Sequence, residues 1–112
     1  MFIQTVNIAG LPLAPNEVTQ ILDEMTHAIL LNQSLRAIKV IHGNGGVSRA
    51  ASLKLAVRSW AEKNRIYFKG VIPGERYRPS NPTFLEMREA CGEFTDPDLG
   101  IDNSGVTFIW VK

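Results

Sequence analysis

The sequence of 112 residues contains a single cysteine, Cys91. One thiol cannot form an internal disulfide, and it cannot supply the several ligands of a cysteine-based zinc site. No apolar run approaches the roughly 18 residues that cross a membrane, and the first residues lack the basic segment of a secretion signal. These absences exclude a disulfide scaffold, favour the reducing cytoplasm and predict no membrane partner.

Cofactor and metal motifs are also missing. Three glycines lie between residues 43 and 46, but the sequence has neither the GK[ST] ending of a P-loop nor a GxGxxG fingerprint. Asp96, Asp98 and Asp102 are spaced unlike the ligands of an EF-hand loop, and no glutamate closes the series. The sequence therefore predicts neither a cofactor nor a metal site.

The small net charge of +1 hides an uneven distribution along the chain. Residues 1–35 carry a net charge of −3, residues 36–78 carry +8, and residues 79–112 carry −4. A positive block of this size is typical of surfaces that attract phosphate backbones. Clustering along the sequence leaves open the alternative that these basic side chains are spread over a solvated surface.

Hydrophobic periodicity predicts an α/β fold. Amphipathic stripes predict two main helices over residues 15–31 and 53–61, and runs rich in β-formers predict four strands over residues 2–8, 37–41, 66–71 and 106–111. The order βαβαββ predicts a single domain over residues 1–112, a two-layer sandwich with a four-stranded mixed sheet. A right-handed crossover makes the first two strands parallel, so their carboxyl ends share one edge of the sheet.

A long insertion, about residues 74–104, separates the third and fourth strands. It contains one predicted short helix, in which Asn81 can cap the start and Pro82 can occupy the first turn. Connections of this length usually serve function or partner binding.

The second strand ends at His42, and a glycine-rich turn with Gly43, Gly45 and Gly46 follows. Glycines adopt positive φ and leave main-chain amides accessible to an anion. Open α/β sheets usually bind ligands at the carboxyl ends of strands. The pattern predicts a phosphate-binding turn in which His42 donates to phosphate or carries a proton. The alternative is that the ring only braces the turn.

These features together resemble the Smr domain, the small MutS-related module. Its histidine–glycine–any–glycine motif is matched by residues 42–45, and the Gly-Val-Thr start of its last strand is matched by residues 105–107. Its first motif, leucine–aspartate–apolar–histidine–glycine, falls on residues 6–10. The resemblance implies a two-layer α/β fold that binds DNA or RNA, and several family members are similar to nicking nucleases.

Two departures from the family pattern in the first motif affect its chemistry. Asn7 replaces the acidic residue and Ala9 replaces the first histidine, whereas Gly10 is kept. Asn7 cannot act as a general base, and Ala9 has no titratable group. The resemblance therefore implies nucleic-acid binding without efficient cleavage, and it leaves His42 as the catalytic candidate.

The candidate nucleic-acid-binding residues combine the turn with the basic block. They are His42, Gly43, Asn44, Gly45, Gly46, Arg49, Lys54, Arg58, Arg76 and Arg78. Lys54 and Arg58 are i, i+4 neighbours on a helix and form a basic ridge, to which Lys39 can add. Tyr77 either stacks on an unpaired base or packs within its loop.

Two further functions compete with simple binding. In the first, the protein is a nicking endonuclease in which Glu75 substitutes for the missing acid. In the second, it is a protein-interaction module, and acidic residues 83–104 dock on the basic block of the same chain or of a second copy, which would form a homodimer.

Overall fold

The computed structural model describes residues 3–9, 14–31, 34–43, 48–91 and 103–112, and for residues 48–50 it describes the backbone alone. The elements, in chain order, are β1 (Ile3–Asn7), α1 (Pro15–Leu30), β2 (Ala37–Ile41), α2 (Ser48–Lys63), β3 (Phe68–Pro73), α3 (Pro82–Cys91) and β4 (Val106–Val111). Two 3₁₀ turns, Arg65–Tyr67 and Gly74–Arg76, flank β3. The predicted order of elements is confirmed.

The four strands form one mixed sheet in the order β1-β2-β4-β3. β1 runs parallel to β2, and β4 runs antiparallel to both β2 and β3. Asn7 is paired with Ile41, so β1 and β2 end side by side. The predicted parallel pair and its shared carboxyl edge are therefore confirmed.

One face of the sheet is covered by the two main helices. Their buried side chains include Val18, Leu22 and Ile29 of α1 and Leu53 and Val57 of α2, and they pack in one cluster with Ile38, Val40 and Ile109 of the sheet. Trp60 Nε1 donates a hydrogen bond to Asp23 at 2.7 Å and ties α2 to α1. These two layers form the predicted sandwich.

The opposite face is covered by the insertion. Val106, Phe108 and Trp110, which alternate along β4, pack in a second cluster with Tyr77, Phe84 and Met87. All six residues of β4 are buried because both faces of this central strand are covered. The described part of the insertion therefore completes the fold.

Tyr77 lies inside this second cluster. Its ring stacks on Phe108 with centroids 3.7 Å apart and planes 10° apart, and it meets Phe84 edge-on at 5.0 Å. Only 1% of the residue is exposed. The hypothesis that Tyr77 stacks on an unpaired base is therefore corrected, and the alternative of packing is confirmed.

β3 begins two residues later than the sequence predicts. Ile66 and Tyr67 are β-formers, but they belong to a 3₁₀ turn in which the Tyr67 amide donates to the Asn64 carbonyl at 3.0 Å. β3 instead continues to Pro73, which an edge strand tolerates because one side of it needs no ladder donor. Within the described residues, no helix combines the length and apolarity needed to span a membrane.

Candidate functional site

The carboxyl ends of β1 and β2 form the edge where the first and second motifs meet. The Ile8 amide donates to the Ile41 carbonyl at 2.9 Å, which holds the end of the first motif against β2. The Asn7 side-chain oxygen accepts a hydrogen bond from the Ala9 amide at 3.0 Å. Asn7 therefore closes a local turn, as short polar side chains commonly do. Gly10 lies outside the described residues.

His42 lies below this edge and is fully buried, with 0% exposure. Its Nδ1 is 2.9 Å from the Gly43 carbonyl oxygen, and its Nε2 is 2.8 Å from Thr107 Oγ1. A carbonyl oxygen only accepts, so Nδ1 carries the proton and Nε2 accepts from the Thr107 hydroxyl. Both ring nitrogens are engaged inside the protein, as in the alternative in which the ring braces the turn.

The charge state of His42 follows from this burial. Burial lowers the pKa of His42, and the hydrogen bond to the Gly43 carbonyl opposes this effect in part. The positive charges of Arg58 and Lys54 lower the pKa further, against a smaller raising effect of Glu75. The ring is therefore neutral near pH 7. A neutral, buried imidazole does not donate to a phosphate at the surface, so the catalytic role of His42 stays a prediction without a geometric basis in this structure.

The amides beside His42 have an acceptor within the chain. The amides of His42 and Gly43 both donate to the Gly105 carbonyl oxygen at 3.0 Å. Gly43 has a φ of 85°, a left-handed backbone conformation that glycine adopts without steric cost. Two successive amides aimed at one point are the geometry that binds anions elsewhere. Here a carbonyl fills that place, which corrects the expectation that the Gly43 amide is bare.

Arg58 links His42 to the insertion. Its Nε donates to Thr107 Oγ1 at 3.1 Å, so Thr107 accepts from Arg58 while it donates to His42. Its two terminal nitrogens lie 2.6 and 3.3 Å from the two carboxylate oxygens of Glu75, a bidentate ion pair. A chain of hydrogen bonds thus joins β2, β4, α2 and the Gly74–Arg76 turn.

Lys54 completes the charged cluster around Glu75. Its Nζ lies 4.0 Å from Glu75 Oε2. Burial alone would raise the pKa of Glu75, but hydrogen bonds from Arg58 and the charges of Arg58 and Lys54 outweigh it and lower the pKa. Glu75 is therefore ionised near neutral pH. In the endonuclease alternative this carboxylate replaces the missing acid, yet it is already paired with two cations.

An open groove of about 540 Å³ adjoins this cluster. Its lining residues are Glu75, Arg76, Arg78, Ser80, Asn81 and Pro82. Asn81 Nδ2 donates to the Arg76 carbonyl at 3.0 Å, and Arg78 Nη2 donates to the Glu75 carbonyl at 3.3 Å, so the loop is held by its own side chains. We call this groove, together with Lys54 and Arg58, the basic groove. Its charged residues sum to +3.

The structure brings together four of the predicted basic residues and separates a fifth. Lys54, Arg58, Arg76 and Arg78 surround or adjoin Glu75. Lys39 is only 6% exposed, and its Nζ lies 5.6 Å from the ring centroid of Phe108. The expectation that Lys39 adds to the ridge is therefore corrected, because a strand covered on both faces buries its side chains.

Other predicted site residues fall beyond what the structure describes. Asn44, Gly45 and Gly46 lie outside the described residues, and so does the side chain of Arg49. Asp96, Asp98 and Asp102 also lie outside them. Across the ranges that the structure does describe, no group of three or more histidine, cysteine or acidic side chains is placed to hold a metal ion.

Thr107 is the site residue that sequence reasoning missed. It is fully buried and joins His42 to Arg58. A usable signal was present, because a hydroxyl in the middle of an apolar central strand requires a hydrogen-bond partner. The Gly-Val-Thr pattern marked the residue but did not reveal its role.

Comparison with known proteins finds no family model, no curated protein and no solved structure that matches this chain. The resemblance to the Smr domain therefore rests on the motif residues 6–10, 42–45 and 105–107.

Proposed function

We propose that this chain is a Smr-like domain that binds DNA or RNA by contacts between the basic groove and the phosphate backbone. The observation that carries the proposal is the gathering of Lys54, Arg58, Arg76 and Arg78 around one open groove with a net charge of +3. Phosphate contacts of this kind supply most of the affinity in sequence-independent binding.

The side chains in the groove suit phosphate better than bases. Arginine presents a planar set of donors that matches phosphate oxygens. Ser80 and Asn81 add uncharged polar groups to the lining. Tyr77, the aromatic residue between the two arginines, is buried. We therefore expect weak sequence preference, because phosphate contacts position a strand but do not read it.

Three observations support binding without efficient cleavage. Asn7 has no ionisable group, and its side-chain oxygen is used by the Ala9 amide. The His42 ring is buried and neutral. Glu75 is paired with Arg58. General acid–base catalysis needs a titratable group within reach of the substrate proton. Asn7 has no such group, the His42 ring is buried, and the Glu75 carboxylate is held by Arg58.

A salt series tests the proposal. Fluorescence anisotropy with labelled single-stranded DNA and RNA should give a logarithm of affinity that falls with the logarithm of salt concentration. Phosphate contacts by Arg76 and Arg78 correspond to a slope of about −1.4 for single strands. Arg76→Gln should make the slope shallower by about 0.7.

The matched control is Arg65→Gln in the 3₁₀ turn that follows α2, which removes the same charge outside the groove. It should leave the slope close to that of the unmodified chain. Binding that is absent, that ignores salt, or that responds equally to both variants would contradict the proposal.

A further inference from the structure

We propose that Glu75 is an internal anion that occupies the place of a nucleic-acid phosphate between Arg58 and Lys54 and so lowers the affinity of the basic groove; the inference rests on the proposed function. The insertion would then carry its own competitor for the phosphate site. A backbone phosphate would engage Arg58 and Lys54 only after the Glu75 side chain moves aside.

The geometry of the pair is the first support. Arg58 grips the two carboxylate oxygens of Glu75 at 2.6 and 3.3 Å, and Lys54 approaches one of them at 4.0 Å. Arginine binds carboxylate and phosphate with the same two parallel donors. The carboxylate therefore stands where these two cations would hold a phosphate.

Partial exposure is the second support. The side chains of Lys54 and Arg58 are each 26% exposed, and that of Glu75 is 35% exposed. Glu75 also lines the open groove that contains Arg76 and Arg78. An anion in the groove can therefore reach the cations that Glu75 holds.

The backbone of the insertion limits what has to move. A Cβ on Gly74 would lie 1.9 Å from the Asn103 carbonyl oxygen and 2.8 Å from the Val106 carbonyl oxygen. The turn that carries Glu75 is thus packed tightly against the chain that enters β4. Displacement of the carboxylate then requires only rotation of the Glu75 side chain. Hydrogen bonds from water to the carboxylate would replace the ion pair with Arg58.

The charges explain why this competition matters. A carboxylate and a phosphodiester each carry one negative charge, so their exchange between Arg58 and Lys54 gains little electrostatic free energy. Arg58 and Lys54 then add little to the affinity or salt dependence of the unmodified chain. Removing the charge of Glu75 makes both cations available, which should steepen the slope for single strands by up to about 1.4.

The competing interpretation is that Glu75 only anchors the insertion to α2. The two interpretations predict different effects of Glu75→Gln. An anchor predicts lower stability and no gain in binding. An internal anion predicts binding that is tighter by about fivefold, the change in affinity that corresponds to the free energy of one exposed ion pair.

The control for this variant is Glu62→Gln. Glu62 pairs with Arg65 at 3.7 Å and is 77% exposed, so the control also removes one negative charge beside an arginine. Both variants are titrated against the same single-stranded oligonucleotide over about 50 to 200 mM salt. Tighter binding and a steeper slope for Glu75→Gln alone support the inference.

Two outcomes separate this inference from the proposed function. If the unmodified chain binds and Glu75→Gln matches Glu62→Gln, the inference fails and the proposed function stands. If neither the unmodified chain nor Glu75→Gln binds, the proposed function fails and the inference fails with it. Lys54→Gln added to Glu75→Gln should reverse part of the gain, and a fully retained gain overturns the inference.

A measurement on the unmodified chain covers the case in which Glu75→Gln does not fold. Carbon NMR of the glutamate carboxyl groups follows Glu75 and Glu62 during titration with the oligonucleotide. The Glu75 resonance should move as its carboxylate is released, whereas that of Glu62 should stay in place. A Glu75 resonance that is unchanged at saturation overturns the inference.

Discussion

Thr107→Val removes one buried hydroxyl and keeps the shape of the side chain. In the native protein this hydroxyl donates to His42 Nε2 at 2.8 Å and accepts from Arg58 Nε at 3.1 Å. After the substitution, His42 keeps a buried acceptor that water cannot reach, because the residue is 0% exposed. Arg58 loses less than His42 does, since its guanidinium group stays paired with Glu75 and is partly exposed to water.

The expected loss of stability therefore comes mainly from His42, whose Nε2 is left without a hydrogen-bond donor. An unsatisfied buried polar group costs about 1–3 kcal/mol, so we expect the free energy of unfolding to fall by about 2 kcal/mol. For a domain of this size, that loss corresponds to a decrease in Tm of about 8 °C. Valine suits a β-strand at least as well as threonine, so strand propensity adds no penalty.

Urea denaturation measures this effect, with Thr26→Val as the control. Thr26 is also buried, at 3% exposure, and its hydroxyl donates to the Leu22 carbonyl at 2.8 Å within α1. That carbonyl is a helix acceptor in its own right, so the control should lose about 0.5 kcal/mol or less. Equal losses for the two variants would refute the claim that Thr107 satisfies His42.

Three further predictions concern pH, packing and cleavage. Burial holds the pKa of His42 below its ordinary value, so the unfolded state takes up this proton at a higher pH than the folded state. Stability should therefore fall as pH drops below about 6.5, and His42→Gln should flatten this loss in pH-dependent denaturation. Tyr77→Ala should cost about 3 kcal/mol because it removes the ring stacked on Phe108, and a loss below about 1 kcal/mol would contradict the packing assignment. Supercoiled plasmid and structured RNA should remain intact with the purified chain, whereas nicking that His42→Ala abolishes would restore the endonuclease alternative.

The sequence predicted the elements that follow from the local pattern of apolar and turn-forming residues. β2 was predicted with both of its bounds, Ala37 and Ile41, because an apolar run ends there at a polar residue. Pro15 predicted the start of α1 because proline suits the first turn of a helix. The parallel pairing of β1 and β2 followed from the handedness of the crossover.

Features that depend on contacts between residues far apart in the chain could not be predicted from the sequence. Tyr77 is buried because it meets Phe108 of a later strand, which local composition does not reveal. The pairing of Arg58 with Glu75 depends on where the insertion returns to α2. Likewise, Lys39 is buried because the insertion covers the second face of the sheet. The basic block was visible in the sequence, but its division between surface and core was not.

The location of a bound oligonucleotide tests the central claim most directly. Nitrogen-labelled chain is titrated with a single-stranded oligonucleotide at low salt, and amide and arginine side-chain resonances are followed by NMR. If the basic groove binds the oligonucleotide, the shifts should centre on Arg76, Arg78 and Ser80 and should decline as salt is added. Shifts centred on α1 instead, or no shifts at saturating oligonucleotide, would contradict this claim.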